Sequence, residues 1–188
     1  MVIVKLSFYD VQMMMVETEN VLPLAAIVHD EDSSAAQAVL DACIGRLKAQ
    51  GRRLMGLNNA EYIRADGSRD KCIRSLDGER TYIIFQDLGK DSESCRLNPA
   101  ALAEAACELR WHADSRPDLA VINRFGVVEA KGGGLIQEFA DMVAEGLPVI
   151  TLLNRKYLPQ WQEFTGGMAV ILPSENAAVE AWLTTVLP

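Results

Sequence analysis

The chain has 188 residues, of which 49% are hydrophobic, and its 18 Lys and Arg against 26 Asp and Glu give a net charge of −8. At roughly 150 residues per domain, this length predicts one domain able to bury roughly 70% of its unfolded surface, which excludes disorder as the main state. The negative field repels nucleic-acid backbones and anionic lipid headgroups, which excludes general nucleic-acid binding.

Cysteine spacing and the N-terminal segment bear on the cellular compartment. The cysteines at positions 43, 72, 95 and 107 form no C-x-x-C pair, so neither a zinc ribbon nor a thioredoxin-type motif is predicted, and reduced thiols are expected. The first 15 residues are apolar, but Lys5 and Asp10 interrupt them and no cleavage site follows. Because this segment is a poor signal peptide and too short to span a bilayer, we expect a cytoplasmic protein without membrane insertion.

The first part of the chain predicts an extension followed by a β-α-β unit. Residues 2–8 are typical of a short edge strand, and we expect residues 1–20 to be an N-terminal extension of a single domain at 21–188. In that domain Leu24–His29 is a strongly apolar strand, residues 35–50 have apolar side chains at helical spacing, and Gly51 is placed to end the helix. A second strand at 53–57 completes the unit.

A hairpin and further strand-helix pairs follow. Short β-prone runs at 71–76 and 81–85, joined by Asp77-Gly78, predict a β-hairpin, and Asn98-Pro99 predicts the start of a helix that runs to about residue 113. The remaining strands are predicted at 118–123, 147–153 and 168–172, and the remaining helices at 135–145, 155–164 and 174–186. Trp161 and Trp182 fit the apolar pattern of the last two helices, so we expect both in the core.

This alternation of strands and helices predicts one α/β domain. We expect a three-layer sandwich with a mainly parallel sheet of about five strands, helices on both faces and the inserted hairpin. Ligands bind such sheets at the carboxyl ends of the strands. Candidate site residues are therefore sought at 29–34, 86–98, 123–134 and 153–157.

The loop after the first predicted strand, residues 29–34, is where a phosphate-binding loop would lie. Its sequence, HDEDSS, holds no glycine and no lysine, and its three carboxylates repel phosphates, which disfavours triphosphate binding in the usual way. Two interpretations stay open: Asp32 or Ser33 caps the helix, or Asp30 belongs to a site for a metal or for a cationic or polar ligand. Asp30, Ser33 and Ser34 are therefore candidate ligand-binding residues.

The end of the strand at 118–123 supplies a second set of candidates. Asn123-Arg124-Phe125-Gly126 is followed by Glu129. A P-loop enzyme has an acidic pair here that holds magnesium, so metal-assisted phosphate hydrolysis lacks both of its electrostatic parts in this chain. Arg124 is placed to pair with an anion or, alternatively, to form a salt bridge with Asp30.

Glycines before a predicted helix form the third candidate. Lys131-Gly132-Gly133-Gly134 combines backbone N–H groups, a positive helix end and an ammonium group. The pattern predicts either a site for phosphate or an oxyanion such as molybdate or sulfate, with Lys131 and Gly132 as ligands, or a flexible turn.

Polar residues around the predicted hairpin complete the candidates, and we assign Gln86, Asp87, Cys95 and Arg96 to the same sheet edge. Cys95 beside Arg96 has the setting of a reactive thiol, but no base accompanies it. His29 with Cys72 and Cys95 has no known metal-ligand spacing, so we predict no metal site.

Several of these motifs occur together in one family. They are Ala26–Asp30, Gln86-Asp87-Leu88-Gly89, Cys95-Arg96-Leu97, Asn123-Arg124-Phe125-Gly126 with Glu129, and Phe164–Gly167. With them, the sequence from about residue 24 to residue 182 resembles the bacterial domain of unknown function family 2478. The resemblance implies a P-loop-NTPase-like α/β fold, a more distant similarity to small nucleoside-triphosphatases, and a link to molybdenum uptake or metabolism. It carries over no catalytic residue and indicates no cofactor.

Three functions are weighed. The preferred one is an accessory or regulatory protein with a degenerate P-loop-like fold that binds a small anion or nucleotide-like ligand through the candidate residues above. The alternative is a divergent nucleoside triphosphatase or phosphotransferase that uses Glu129 as its base. The third is an interaction module, such as a homodimer formed through the N-terminal strand.

Overall fold

Strands and helices alternate along most of the chain. The computed structural model describes residues 22–84, 98–113 and 116–187. The strands are β1 (Leu24–His29), β2 (Leu54–Ile63), β3 (Arg69–Ser75), β4 (Thr81–Tyr82), β5 (Leu119–Phe125), β6 (Val149–Asn154) and β7 (Val170–Leu172). The helices are α1 (Ser34–Ala49), α2 (Pro99–Ala113), α3 (Ile136–Ala144), α4 (Leu158–Thr165) and α5 (Asn176–Val186), with 3-10 turns at Glu129–Lys131 and Arg155–Tyr157. The predicted extension at 1–20 lies outside the described residues.

All strands join one sheet in the order β4-β3-β2-β5-β6-β1-β7. From β2 to β7 every neighbouring pair is parallel, which confirms the predicted class. Within the described residues the sheet has seven strands rather than about five, because β3 pairs antiparallel with β2 and β4 pairs antiparallel with β3. The predicted hairpin is therefore part of the same sheet.

The second strand is longer than predicted, because its second half is polar and was not predicted as a strand. β2 continues past residue 57 and pairs with β3 from Leu57↔Ser75 to Ile63↔Arg69. The added residues begin with Asn58-Asn59-Ala60-Glu61, types that are depleted in strands, so sequence patterning ended the strand too early. The pairing places β3, and the residues on it, beside the carboxyl half of β2.

Two apolar layers enclose the sheet. α1 and α5 cover one face, and α2, α3 and α4 cover the other, which is the predicted three-layer arrangement. Trp161 and Trp182 are 0% and 5% exposed, as expected for core residues. Phe125 packs edge-on against Trp161 with ring centroids 5.1 Å apart, so an aromatic cluster anchors the carboxyl end of β5.

Close backbone approach and capping set two local features of the fold. Gly56 has φ +126°, and a Cβ there would lie 2.0 Å from the Val121 carbonyl oxygen, so β2 and β5 come together only over a glycine. Asn98 caps α2 as predicted, since its Oδ1 accepts from Ala100 N at 3.1 Å and from Ala101 N at 3.3 Å.

No helix within the described ranges is long and apolar enough to cross a membrane.

Candidate functional site

A cavity of about 340 Å³ opens at the carboxyl edge of the parallel strands. Its lining includes His29 at the end of β1, Asn123 and Arg124 near the end of β5, and Asn154 at the end of β6. This is the edge at which parallel α/β sheets bind ligands. A larger hollow of about 630 Å³ lies between β4 and α2, around Arg80 and Cys107, away from these strand ends.

An extra residue in β5 places two polar side chains at this edge. The register with β6 runs to Ile122↔Thr151 and resumes at Phe125↔Leu153, so Asn123 and Arg124 lie opposite the single residue Leu152. Such a bulge bends the strand and re-aims its side chains. The Asn123 side chain is buried, at 3% exposure, and the Arg124 side chain is exposed.

Neutral amides hold the Arg124 guanidinium. Arg124 Nη2 and Asn123 Nδ2 each donate to Asn59 Oδ1 at 3.1 Å. Asn59 Nδ2 in turn donates to Gln37 Oε1 of α1 at 2.7 Å. The guanidinium is thus fixed by an uncharged group and keeps its positive charge available to a ligand. Desolvation lowers the pKa of Arg124, and the charge of Glu129 opposes that effect.

Glu129 is buried and bound to the backbone of its own loop. Its side chain is 8% exposed; Oε2 accepts from Gly126 N at 2.9 Å, and Oε1 accepts from Leu135 N at 3.2 Å. A Cβ on Gly134 would lie 2.1 Å from Glu129 Oε1, so the glycine leaves room for the carboxylate. The carboxylate lines the cavity, but both of its oxygens hold the loop in shape.

The predicted anion loop at 131–134 has its donors engaged within the protein. Gly132 N donates to Glu129 O at 2.9 Å, Gly133 N donates to Val128 O at 3.0 Å, and the helix end at Leu135 N already faces the Glu129 carboxylate. Lys131 is exposed and, like Gly132, is not part of the cavity lining. An anion at this loop would have to displace Glu129.

The loop after β1 shows which basic residue pairs with Asp30. Asp30 Oδ1 accepts from Arg155 Nε at 2.7 Å, so the salt bridge proposed between Asp30 and Arg124 is wrong. The reason is that Asn59 holds the Arg124 guanidinium, whereas Arg155 follows β6, the strand beside β1. Asp30 lines a separate hollow with Arg155.

The start of α1 is stabilised by Asp32. Its Oδ1 accepts from Ser34 N at 2.8 Å and from Ser34 Oγ at 2.6 Å, and these bonds lower the pKa of Asp32. Asp32 thus forms an Asx turn just before the N-cap residue Ser33, whose own side chain makes no capping hydrogen bond. Ser33 lines the strand-end cavity, whereas Ser34 is bound to Asp32.

Sequence reasoning missed two lysines in the lining, Lys71 on β3 and Lys156 after β6. Lys156 Nζ lies 5.0 Å from the centroid of the Tyr157 ring, a cation–π distance. Lys71 forms no ion pair within the part of the chain that the structure describes. Lys156 could have been predicted, because it lies in the segment 153–157 that follows a predicted strand. Lys71 could not, because no sequence pattern indicated that β3 pairs with the polar half of β2.

Four candidates, Gln86, Asp87, Cys95 and Arg96, lie outside the described residues. Within the described ranges, no three His, Cys, Asp or Glu side chains group as metal ligands. Cys72 and Cys43 are buried, and Cys107 is exposed. A magnesium-bound triphosphate does not fit the residues at these strand ends in the usual way, because residues 29–34 offer no glycine or lysine and Asn123-Arg124 replaces the acid.

Comparison with solved structures confirms the P-loop-NTPase-like fold. The solution structure of a human cancer-related nucleoside triphosphatase superposes with a TM-score of 0.63 at 14% identity, covering 87% of this chain and 97% of that one. The crystal structure of THEP1 from the hyperthermophile Aquifex aeolicus gives a TM-score of 0.57 at 17% identity with the same coverage. At these identities the likeness concerns the fold.

Sequence comparison finds a closer relative. The molybdenum import ATP-binding protein ModC 2 of Bradyrhizobium diazoefficiens is 39% identical over 103 residues, which are 55% of this chain but only 12% of that protein. A family model covers most of the chain, from residue 24 to residue 182. The chain therefore belongs to the family described as "Protein of unknown function (DUF2478)".

Proposed function

We propose that the chain is a cytoplasmic accessory or regulatory protein with a degenerate P-loop-like fold that binds a small anion or nucleotide-like ligand at the carboxyl edge of its sheet. The observation that carries the proposal is the cavity lining. In a chain of net charge −8, three basic side chains, Lys71, Arg124 and Lys156, line one cavity at the edge where such folds bind ligands.

The hydrogen bonds made by the charged side chains of the cavity lining support an anionic ligand. In the described part of the lining there are two carboxylates, of which Glu129 already accepts two backbone N–H bonds and Glu31 is exposed. The guanidinium of Arg124 is held by a neutral amide, and it forms no salt bridge with a carboxylate of the described residues. Local positive charge of this kind attracts anions even when the whole molecule is acidic.

The proposal includes a link to molybdenum uptake or metabolism. Its support is the name of the relative, a molybdenum import ATP-binding protein, and the 39% identity over the shared 103 residues. Because the chain spans about an eighth of that relative, the activity and partners of the whole relative are proposals for this chain.

Isothermal titration calorimetry tests the proposal. ATP, AMP, molybdate and sulfate are titrated into the purified protein and into Arg124→Gln. We expect heat from at least one anion and an affinity lowered about tenfold or more in the variant, since a hydrogen-bonded charge is lost. Arg74→Gln is the matched control: Arg74 lies on β3 outside the cavity lining, so the same loss of charge leaves the affinity unchanged. Absence of heat from every anion, with the fold intact, contradicts the proposal.

The alternative is a divergent nucleoside triphosphatase or phosphotransferase with Glu129 as base, and the observation in its favour is that the Glu129 carboxylate lines the cavity with Arg124. Phosphate release from nucleotides with magnesium is measured for the native protein and for Glu129→Gln. If turnover is present in the native protein and absent in the folded variant, the result favours the enzyme hypothesis. If turnover is equal in both proteins, Glu129 is not the catalytic base.

Self-association through residues 1–20 remains a prediction. Light scattering of the full chain and of a variant lacking these residues checks it, since an unchanged mass would exclude a homodimer formed by this segment.

A further inference from the structure

The strand-end cavity has a large apolar wall besides its basic groups. The apolar lining residues include the half-buried Leu102 and Tyr157 and the buried Ile73, Ile84, Phe125 and Leu135. They come from β3, the segment after β4, α2, β5 and the segments before α3 and α4, so the wall is built by many elements and not by one loop. Cavities with an apolar lining and a few placed polar groups are typical of sites for organic small molecules.

The size of the cavity exceeds the need of an inorganic oxyanion. Its volume is about 340 Å³, which is the volume that about eleven water molecules occupy in liquid water at roughly 30 Å³ each. An ion such as phosphate or molybdate has only a few non-hydrogen atoms and would leave most of this wall in contact with water. Covering apolar surface is favourable, so a ligand with an apolar body gains affinity that a bare oxyanion does not.

The charges of the lining match one anionic group. Among the residues that the structure describes, three basic side chains and two carboxylates line the cavity, a small positive excess. A chain of several phosphates would need the donors of a glycine-rich loop, whereas the loop after β1 contributes Glu31 to the lining. The planar Arg124 guanidinium suits a phosphate-type group, because it can donate two parallel hydrogen bonds.

The aromatic groups of the lining indicate the body of the ligand. The half-buried Tyr157 lines the cavity and Lys156 Nζ lies over its ring at 5.0 Å, whereas the Phe125 ring is buried in the aromatic cluster. Aromatic side chains bind flat unsaturated rings by offset or edge-on packing. We infer that the ligand is a small aromatic anion with a single phosphate-type headgroup, held by Lys71, Arg124 and Lys156. This inference rests on the proposed function and narrows its ligand class.

Calorimetry with three matched probes tests the inference, namely phenyl phosphate, inorganic phosphate and phenol at constant ionic strength. We expect phenyl phosphate to bind at least about tenfold more tightly than inorganic phosphate, because its ring covers the apolar wall, and more tightly than phenol, because phenol lacks the headgroup. Lys71→Gln is expected to weaken phenyl phosphate binding about tenfold. Arg74→Gln, three residues along β3 and therefore on its opposite face, is expected to leave it unchanged.

A second variant tests the apolar wall. Leu102 is only half-buried on α2, so Leu102→Ala retains the fold, which circular dichroism verifies. We expect it to reduce the preference for phenyl phosphate over inorganic phosphate several-fold. Equal affinities for phenyl phosphate and inorganic phosphate, or tighter binding of ATP than of phenyl phosphate, would overturn the inference while the anion site of the proposed function stands. No binding of any of these anions would overturn the proposed function itself.

Discussion

At the scale of single residues, Arg124 is positioned by a neutral amide on the neighbouring strand. Asn59 Oδ1 accepts from both Arg124 and Asn123, and Asn59 Nδ2 ties the group to Gln37 on α1. A rigid surrounding of this kind reduces the entropy that a charged side chain loses when a ligand binds. We therefore treat Asn59 as a positioning residue of the proposed site.

The first prediction concerns this amide. Asn59→Ala removes the acceptor of Arg124, and we expect the affinity for phenyl phosphate, or for whichever anion binds, to fall about three- to tenfold. Calorimetry measures the change. Asn58→Ala is the control, because the Asn58 side chain bonds Gln37 and Asp41 but not Arg124. Equal losses in the two variants would show that Asn59 supports only the fold.

A second prediction concerns Glu129 and stability. In Glu129→Gln one carboxylate oxygen becomes an NH₂ group that faces a backbone N–H of Gly126 or Leu135, and a hydrogen bond to a charged acceptor is lost. We expect the free energy of unfolding in urea to fall by about 1–3 kcal/mol. Glu145→Gln, at an exposed position after α3, is the control and should change little. An unchanged urea midpoint for Glu129→Gln would contradict the structural role of the carboxylate.

At the scale of elements, the close approach of β2 and β5 depends on one glycine. In Gly56→Ala the new methyl group would meet the Val121 carbonyl oxygen at 2.0 Å, and the backbone has φ +126°, which side chains rarely adopt. We expect a loss of more than about 2 kcal/mol in unfolding free energy. Gly45→Ala makes the matched comparison: Gly45 lies within α1 with no atom within 4 Å of the new methyl, so a gain of about 0.5–1 kcal/mol is expected. Thermal unfolding of both variants decides, and a stable Gly56→Ala protein would contradict the proposed constraint.

The elements themselves were largely predictable, for identifiable reasons. The runs in β1, β5 and β6 are continuous and apolar because helices cover both faces of these strands, and such runs are easily recognised. Gly51 and Gly146, with φ of +74° and +73°, follow the ends of α1 and α3, as helix-terminating glycines do. The polar half of β2 was missed, because its stability comes from pairing with β3 and not from its own residue types.

The candidate site was less predictable, since its members meet only through tertiary contacts. The strand ends stay the predicted place of the site, and Asn123, Arg124, Glu129 and Ser33 line the cavity there. The pairing of Asp30 with Arg155 and the position of Lys131 outside the cavity lining depend on which loops lie side by side, which strand order decides and local sequence does not. Lys71 was invisible for the same reason.

At the scale of the whole molecule, two buried acidic groups predict sensitivity to alkali. Burial raises the pKa of the Cys43 thiol from 9.0 to about 11, and burial, followed by a hydrogen bond to Glu108, raises the pKa of the Tyr82 phenol from 10.0 to about 12. The folded state keeps both protons longer than the unfolded chain does. The stability they contribute is therefore fully present below about pH 9 and is lost as the pH rises through about 11 and about 12.

Urea unfolding at about pH 8 and about pH 11 measures this loss. We expect the native protein to lose more stability between these values than Cys43→Ala or Tyr82→Phe, since each variant removes one of the two titrating groups. For each protein the change in unfolding free energy between the two pH values is compared, so that the loss of stability caused by altered packing in a variant cancels. An identical pH dependence in all three proteins would show that neither group is linked to folding.

The bulge in β5 has a consequence for how this protein tolerates deletion. Ile122 and Phe125 both face the layer that holds α2, α3 and α4, although three positions separate them, because Asn123 and Arg124 together occupy the place of one residue. Deleting either one would restore regular alternation and keep the Phe125 ring among its aromatic neighbours. Loss of a single codon at this point would thus keep the scaffold intact while changing the chemistry that the sheet edge displays.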